Sequence, residues 1–108
     1  MAELANTRYV EVALEDEIPL NERLFLDIDG EPIVIINLAG KLFAVGDVCT
    51  HDNGPVGDGE LDGYELICPR HGARFDIRSG KATRAPAFTD IPYFPVKVED
   101  GKVFLEIK

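Results

Sequence analysis

Short apolar runs separated by tight-turn sequences are the feature that most limits the folds open to this chain. Asp29-Gly30 and Asp100-Gly101 each stand between two apolar runs, and both dipeptides favour the positive φ angles of hairpin turns. The runs recur about every 8–12 residues, which favours an all-β sandwich or small barrel. Seven Pro and ten Gly interrupt nearly every stretch long enough for a helix, so we expect no substantial helix.

The apolar runs predict six strands and a terminal hairpin. The strands fall at 9–14, 24–28, 33–38, 42–45, 64–67 and 75–77, and the hairpin covers 96–107. The run at 33–38 (IVIINL) is apolar almost without a break. The stretch 85–95 contains three Pro and is predicted to run irregularly over the surface.

Length and charge exclude several classes of protein. With 108 residues the chain suits one domain, 1–108. A net charge of −9 argues against a nucleic-acid binder, which needs a basic surface. No apolar run approaches the roughly 18 residues of a membrane span, and the N-terminus lacks the basic start and apolar core of a signal peptide. We therefore expect a soluble cytoplasmic protein that binds neither nucleic acid nor membrane.

The segment 70–84 is basic within this acidic chain, with five basic residues and one acidic residue. Charged surfaces speed and orient the encounter of proteins. We expect the acidic remainder of the chain to steer it toward basic partner surfaces, while Arg70 and Arg74 flank the site described next.

All cysteines and histidines of the chain lie in two matched pairs. Cys49-Thr-His51 is followed, sixteen residues later, by Cys68-Pro-Arg-His71. Thiolates suit iron–sulfur clusters and zinc, and imidazole suits both metals, so the pairs predict a metal site. Zinc motifs usually begin with two cysteines about two to four residues apart, a spacing that is absent here. The alternatives are inert buried cysteines or a Cys49–Cys68 disulfide, which leaves both histidines without a role.

The two pairs and their surroundings resemble the cluster-binding motifs of Rieske [2Fe-2S] proteins. The match rests on CTHDNGP, CPRHGARFD and the later Ser79-Gly80, and it covers about 40–98. The resemblance implies an all-β Rieske fold, a small antiparallel sandwich or barrel with an inserted cluster-binding subdomain at about 46–84. It implies one [2Fe-2S] cluster, with Cys49 and Cys68 on the buried iron and His51 and His71 on the outer iron. The histidines then provide the route by which an electron leaves.

Among Rieske proteins, the chain resembles the ferredoxin components of ring-hydroxylating dioxygenase systems. Quinol-oxidising Rieske subunits have an extra cysteine in each motif, where this chain has Asn53 or Gly54 and Arg70. Rieske oxygenases need a second iron site with two more histidines than this chain contains. The resemblance implies a one-electron carrier, not an enzyme by itself. Its transient partners are a flavin-dependent reductase and a terminal non-haem iron oxygenase. The alternative is a cluster-bearing small subunit of a larger oxidoreductase, such as an assimilatory nitrite reductase.

Two positions after the second motif bear on the reduction potential. In high-potential Rieske proteins, a Ser and a Tyr at these positions donate hydrogen bonds to a cluster sulfide and a cysteine sulfur, whereas this chain has Ala73 and Phe75. Hydroxyl donors stabilise the reduced cluster. We therefore predict a midpoint potential near the lower end of the Rieske range, about −150 mV.

Overall fold

The computed structural model describes residues 8–50 and 52–107, and eleven strands are found within them. Their bounds are β1 (Arg8–Leu14), β2 (Arg23–Ile28), β3 (Glu31–Leu38), β4 (Lys41–Gly46), β5 (Leu61–Asp62), β6 (Glu65–Ile67), β7 (Arg74–Asp76), β8 (Ala82–Arg84), β9 (Tyr93–Phe94), β10 (Val96–Glu99) and β11 (Lys102–Ile107). The helical element in these ranges is a 3-10 helix at Glu15–Glu17. The predicted all-β fold class is confirmed, and no helix in the described ranges has the length and apolar character of a membrane span.

The strands form three antiparallel sheets, with the orders β1-β11-β10, β2-β3-β4-β9 and β5-β6-β7-β8. The predicted turn dipeptides join neighbouring strands. Asp29 and Gly30 have φ angles of 53° and 86° between β2 and β3, and Asp100 and Gly101 have 53° and 74° between β10 and β11. Two consecutive positive φ angles match the right-handed twist of the flanking strands, which is why these dipeptides predict hairpins.

Strand β3 is the middle layer of the molecule. Ile33 and Ile35 belong to one hydrophobic core, and Val34 and Ile36 belong to another. None of the four is more than 1% exposed. Because successive side chains of a strand point to opposite faces, a strand between two cores needs an unbroken apolar run.

We refer to β1–β4 and β9–β11 as the body. Its core lies between two sheets and includes Val103 and Leu105 of β11 and Phe94 of β9. Strand β1 pairs with β11 from Arg8 opposite Ile107 to Leu14 opposite Lys102, with a register shift in between. The first and last strands of the chain therefore close the outer sheet of the body.

The residues between β4 and β9, 47–92, form an insert. Strands β4 and β9 are neighbours, with Ala44 opposite Phe94, so the chain leaves the body and returns at the same place. The N–H of Gly46 donates to the carbonyl of Pro92 (2.8 Å) and closes the base of the insert. The insert contains the sheet β5–β8 and both Cys-His motifs.

Three short strands were not predicted. Strands β5 and β8 have two and three residues, and β9 occupies two residues of the stretch predicted to be irregular. A strand this short contains no alternation to detect, because it has at most one full period of the pleat. Its partner across the sheet determines it instead.

Candidate metal centre

Each cysteine opens a loop that is closed by the same two backbone hydrogen bonds. The N–H of Cys49 donates to the carbonyl five residues later (2.7 Å), and its own carbonyl accepts from the N–H four residues later (2.6 Å). The corresponding distances from Cys68 are 2.7 and 3.0 Å. The two motifs differ by one residue in their Cys-to-His spacing, yet they fold as equivalent loops.

The fifth residue of each loop reverses the chain. Asn53 and Gly72 have φ angles of 63° and 78°, a left-handed conformation that Asn tolerates and Gly adopts freely. In the second loop this leaves His71 at the surface, with 56% of its side chain exposed. His51, the predicted ligand of the first loop, lies outside the described residues.

The two cysteines converge on the buried side of these loops. Cys49 and Cys68 are 0% and 1% exposed, within a core that also contains Val56 and Leu66. Their Sγ atoms and a carboxylate oxygen of Asp52 all lie within 4.8 Å of one another. No disulfide joins the cysteines, which contradicts the disulfide alternative. Two sulfurs placed so close together without a bond are typical of two ligands to one metal.

A guanidinium from the second loop ties the two loops together. Arg70 donates from Nε and Nη2 to the two carboxylate oxygens of Asp52 (2.6 and 3.0 Å) and from Nη1 to the carbonyl of Pro55 (2.8 Å). A Cβ at Gly54 would lie 2.8 Å from the guanidinium carbon, so a larger residue there would push Arg70 away. We refer to Arg70 and Asp52 as the loop clamp.

The carboxylate of Asp52 is engaged by the protein rather than free to bind metal. Besides Arg70, the N–H of Gly54 donates to it (3.0 Å). The hydrogen bond to Asp52, with smaller contributions from the negative charges of Cys68 and Cys49, raises the pKa of Arg70 above its ordinary value. Arg70 is therefore always charged. The sequence analysis missed this clamp, because its only signal is the position of Arg70 between Cys68 and His71.

One residue of the insert and one of the body hold the base of the first loop. Asp47 follows β4, and its Oδ1 accepts from the N–H groups of Val56 (2.9 Å) and Gly57 (2.6 Å). Arg23 of β2 donates from Nη1 to the carbonyls of Gly57 and Gly59. The sequence analysis missed both residues. The position of Asp47 directly after a buried strand is a weak indication of its role. Nothing in the sequence around Arg23 indicates that it binds the insert.

The stretch 85–92 covers one side of the first loop. The hydroxyl of Thr50, the residue between Cys49 and His51, donates to the carbonyl of Thr89. Ala87 belongs to the same core as the cysteines. This stretch therefore limits the access of water to the thiol side of the site.

The two positions predicted to affect the potential lie in the same core as the thiols. Ala73 and Phe75 are both 0% exposed and belong to the core that contains Cys49 and Cys68. Neither carries a hydroxyl group that could donate to a sulfur.

The donors present suit an iron–sulfur cluster bound by thiolate and imidazole. Cys49 and Cys68 offer soft thiolates from the buried side, and His71 offers an imidazole at the surface. The same donors also suit zinc, so the donor set alone leaves both metals open.

Comparison with known proteins distinguishes an iron–sulfur cluster from zinc. The Rieske [2Fe-2S] domain profile matches residues 8–95. The ferredoxin component of the naphthalene 1,2-dioxygenase/salicylate 5-hydroxylase systems of Ralstonia sp is 34% identical over 100 residues, covering 93% of this chain and 96% of the relative. Sphingomonas yanoikuyae B1 ferredoxin superposes with a TM-score of 0.83 at 28% identity, covering 94% of this chain and 100% of its own. A chain in the complex of reduced oxygenase and oxidized ferredoxin in carbazole 1,9a-dioxygenase has a TM-score of 0.80 at 24% identity, over 90% of this chain and 91% of that one, a likeness of fold.

Proposed function

Because this chain belongs to the Rieske [2Fe-2S] domain family, we propose that Cys49 and Cys68 bind one iron of its cluster and that His51 and His71 bind the other. The cofactor is one [2Fe-2S] cluster rather than zinc. The observation that most directly supports this ligand set is the convergence of two buried thiols to within 4.8 Å from equivalent loops.

The surrounding residues divide the site into a buried side and an exposed side. When bound, the cluster supplies a one-electron redox couple. The apolar neighbours of Cys49 and Cys68 exclude water from the sulfurs, and the loop clamp keeps the two loops in register. The exposed imidazole of His71 offers a short path from the buried side to the protein surface.

The protein is an electron carrier and not an enzyme by itself. We propose that it accepts electrons from a flavin-dependent reductase and donates them to a terminal non-haem iron oxygenase. Two findings support these partners. The Ralstonia relative is named as the ferredoxin component of a dioxygenase system, and a chain of the same fold occurs in a complex with its oxygenase.

We also propose that 1–108 is one domain with a cluster-binding subdomain at about 46–84. The support is the insert, which starts and ends at neighbouring strands of the body. We further propose that the protein works in the cytoplasm, because a reducing compartment keeps two adjacent thiols such as Cys49 and Cys68 from oxidising to a disulfide.

Anaerobic reconstitution of the full chain with iron and sulfide tests the cofactor. We expect equal amounts of iron and sulfide, as in a [2Fe-2S] cluster, with a red-brown colour and a rhombic EPR signal on reduction. A colourless protein that retains zinc and neither iron nor sulfide contradicts the assignment.

Substitution of the proposed ligands tests their roles. We expect Cys49→Ser and Cys68→Ser to lose the cluster, and His71→Cys to retain iron, if at all, in an all-thiolate form with a much lower potential. Asp52→Asn should still assemble a cluster with the parent spectrum, because Asp52 lies within 4.8 Å of the sulfurs but is assigned no iron, although the weakened loop clamp should release that cluster faster. A parent spectrum in His71→Cys excludes His71 as a ligand.

A further inference from the structure

Phe88 is the most exposed large apolar side chain in the described residues. It is 88% exposed, and Leu20 follows at 62%. A single exposed apolar residue is ordinary in itself. The position of Phe88 and the rigidity of its loop distinguish it from the others.

The loop that carries Phe88 is fixed on both sides. Ala87 and Ile91 are 4% and 3% exposed, within the core of the insert. The N–H of Ile91 donates to the carbonyl of Gly80 (2.8 Å), and Asp90 accepts from the N–H of Ala82 (2.9 Å). The backbone at Phe88 is therefore held in place while its ring is left in water.

Phe88 is adjacent to the proposed cluster ligands. The next residue, Thr89, accepts a hydrogen bond from Thr50, which lies between Cys49 and His51 in the sequence. A partner that covers Phe88 therefore approaches the first ligand loop.

Two basic residues, Lys81 and Arg84, lie near Phe88 in the sequence, together with the carboxylate of Asp90. Arg84 is four residues earlier, on β8, opposite Arg74 of β7. Within 8–50 and 52–107, Arg84 and Lys81 take part in no ion pair, unlike Arg74. This basic edge contrasts with the net charge of −9 of the whole chain.

We propose that Phe88 is the apolar anchor through which this protein docks onto its electron-accepting partner, whose surface offers an apolar pocket bordered by carboxylates. This rests on the proposed function. Electron-transfer contacts are small and weak, so one aromatic ring on a preorganised loop can supply much of their affinity. The carboxylates of the partner complement Arg84 and Lys81 and orient the encounter.

Single-turnover electron transfer tests the proposal. The cluster-loaded, reduced full chain is mixed in a stopped-flow instrument with increasing amounts of the oxidised oxygenase component of the Ralstonia naphthalene 1,2-dioxygenase/salicylate 5-hydroxylase systems. We expect Phe88→Ala to raise the half-saturating oxygenase concentration about tenfold, as for a central aromatic of an interface. Phe88→Leu, which keeps an apolar side chain, is expected to recover part of the loss.

The maximal rate, the midpoint potential and the visible spectrum of Phe88→Ala should equal those of the parent, because Phe88 does not contact the cysteines' core. Leu20→Ala is the matched control. Leu20 is also exposed, but it precedes β2 in the body, where the carbonyl of Glu22 accepts from the N–H of Asn37 near the end of β3. Arg84→Glu should raise the half-saturating oxygenase concentration at low salt. At high salt this concentration should approach that of the parent, since salt screens surface charge.

The results of these experiments distinguish the docking proposal from the proposed carrier function. If the parent transfers electrons and Phe88→Ala saturates at the same concentration, the docking proposal is wrong and the carrier function stands. If Leu20→Ala weakens saturation as much as Phe88→Ala, the docking proposal is also wrong. If the cluster-loaded parent transfers no electrons to the oxygenase, the proposed partner class is wrong and the docking proposal falls with it.

Discussion

The body and the insert both bury apolar side chains, but they differ in their ion pairs. The body buries apolar side chains between two sheets, and the ion pair found in its described part joins Arg8 and Asp29, whose side chains are 59% and 81% exposed. In the insert, Arg70, Arg74 and Arg78 each pair with a carboxylate at 2.6 to 2.9 Å.

This difference follows from the length of the strands. The body strands β1–β4 have six to eight residues, whereas β5–β8 have two or three. Short strands form few ladder hydrogen bonds, so other interactions add to the apolar core in holding the loops. The insert uses ion pairs and side-chain caps, which also place charge and donors around the proposed ligands.

The largest expected effect is in the body. Leu105 is 0% exposed in the body core, so Leu105→Ala should lower the free energy of unfolding by about 3 kcal/mol through lost burial and a cavity. Urea unfolding followed by circular dichroism measures this. The visible spectrum of the folded variant should equal that of the parent, because Leu105 belongs to the core remote from the thiols. A shifted cluster spectrum contradicts the separation of the two regions.

The second prediction concerns a substitution that should weaken cluster retention by the insert and leave the body unchanged. Arg70→Gln removes the loop clamp, and loss of a residue that orients metal ligands typically weakens metal retention about tenfold. We expect the cluster to be released to a chelator about tenfold faster, measured by the decay of visible absorption. Amide exchange in β1 and β11 should remain unchanged.

Two variants make the second prediction specific. Gly54→Ala should accelerate release as well, because the added methyl group displaces Arg70 without removing its charge. Arg74→Gln removes an equal charge from the insert and leaves the clamp intact. If Arg74→Gln releases the cluster as fast as Arg70→Gln, charge rather than the clamp retains the cluster.

Much of the body could be predicted from the sequence because its signals are local. Asp29-Gly30 and Asp100-Gly101 specify their turns through their own φ angles, and the nearly unbroken apolar run at 33–38 indicates burial on both faces of its first four residues. The pairing of β1 with β11 could not be predicted, because it joins opposite ends of the chain and neither strand encodes its partner.

The site could be predicted only in part. The cysteines and His71 are recognisable by residue type and spacing, and the structure brings the two thiols together. The clamp between Arg70 and Asp52 and the contact of Thr50 with Thr89 depend on how separate loops meet. No short-range pattern encodes such contacts, since Arg, Asp and Thr are common on any surface.

The third prediction adds one oxygen atom to the core that contains the two thiols. Ala73→Ser places a hydroxyl beside the buried thiols. One hydrogen bond of about 1 kcal/mol in favour of the reduced state corresponds to about 40 mV, so the midpoint potential should rise by about that amount. Protein-film voltammetry measures the change, and Ala82→Ser on β8 is the control. An unchanged or lower potential in Ala73→Ser means that the missing hydroxyl does not set the potential.

The smallest expected effect comes from removing one ion pair of the insert, and one ion pair of the body serves as the comparison. Asp76 of β7 accepts from Nη2 and Nε of Arg78 (2.8 and 3.0 Å), and this hydrogen bonding lowers the pKa of Asp76 below 3.8 despite partial burial. Because the folded-state pKa is the lower one, the stabilisation is complete above the unfolded value of 3.8 and is lost as the pH falls through the folded value. Asp76→Asn should therefore cost about 0.5 kcal/mol near pH 7, and the cost should vanish at acidic pH. Urea unfolding of parent and variant at matched pH measures the difference in the free energy of unfolding, in which ionisations common to both proteins cancel.

Asp29→Asn, in the exposed pair with Arg8 at 3.7 Å, should show no cost at any pH. A cost for Asp76→Asn that persists in acid assigns it to packing rather than charge, and removes the electrostatic distinction between insert and body.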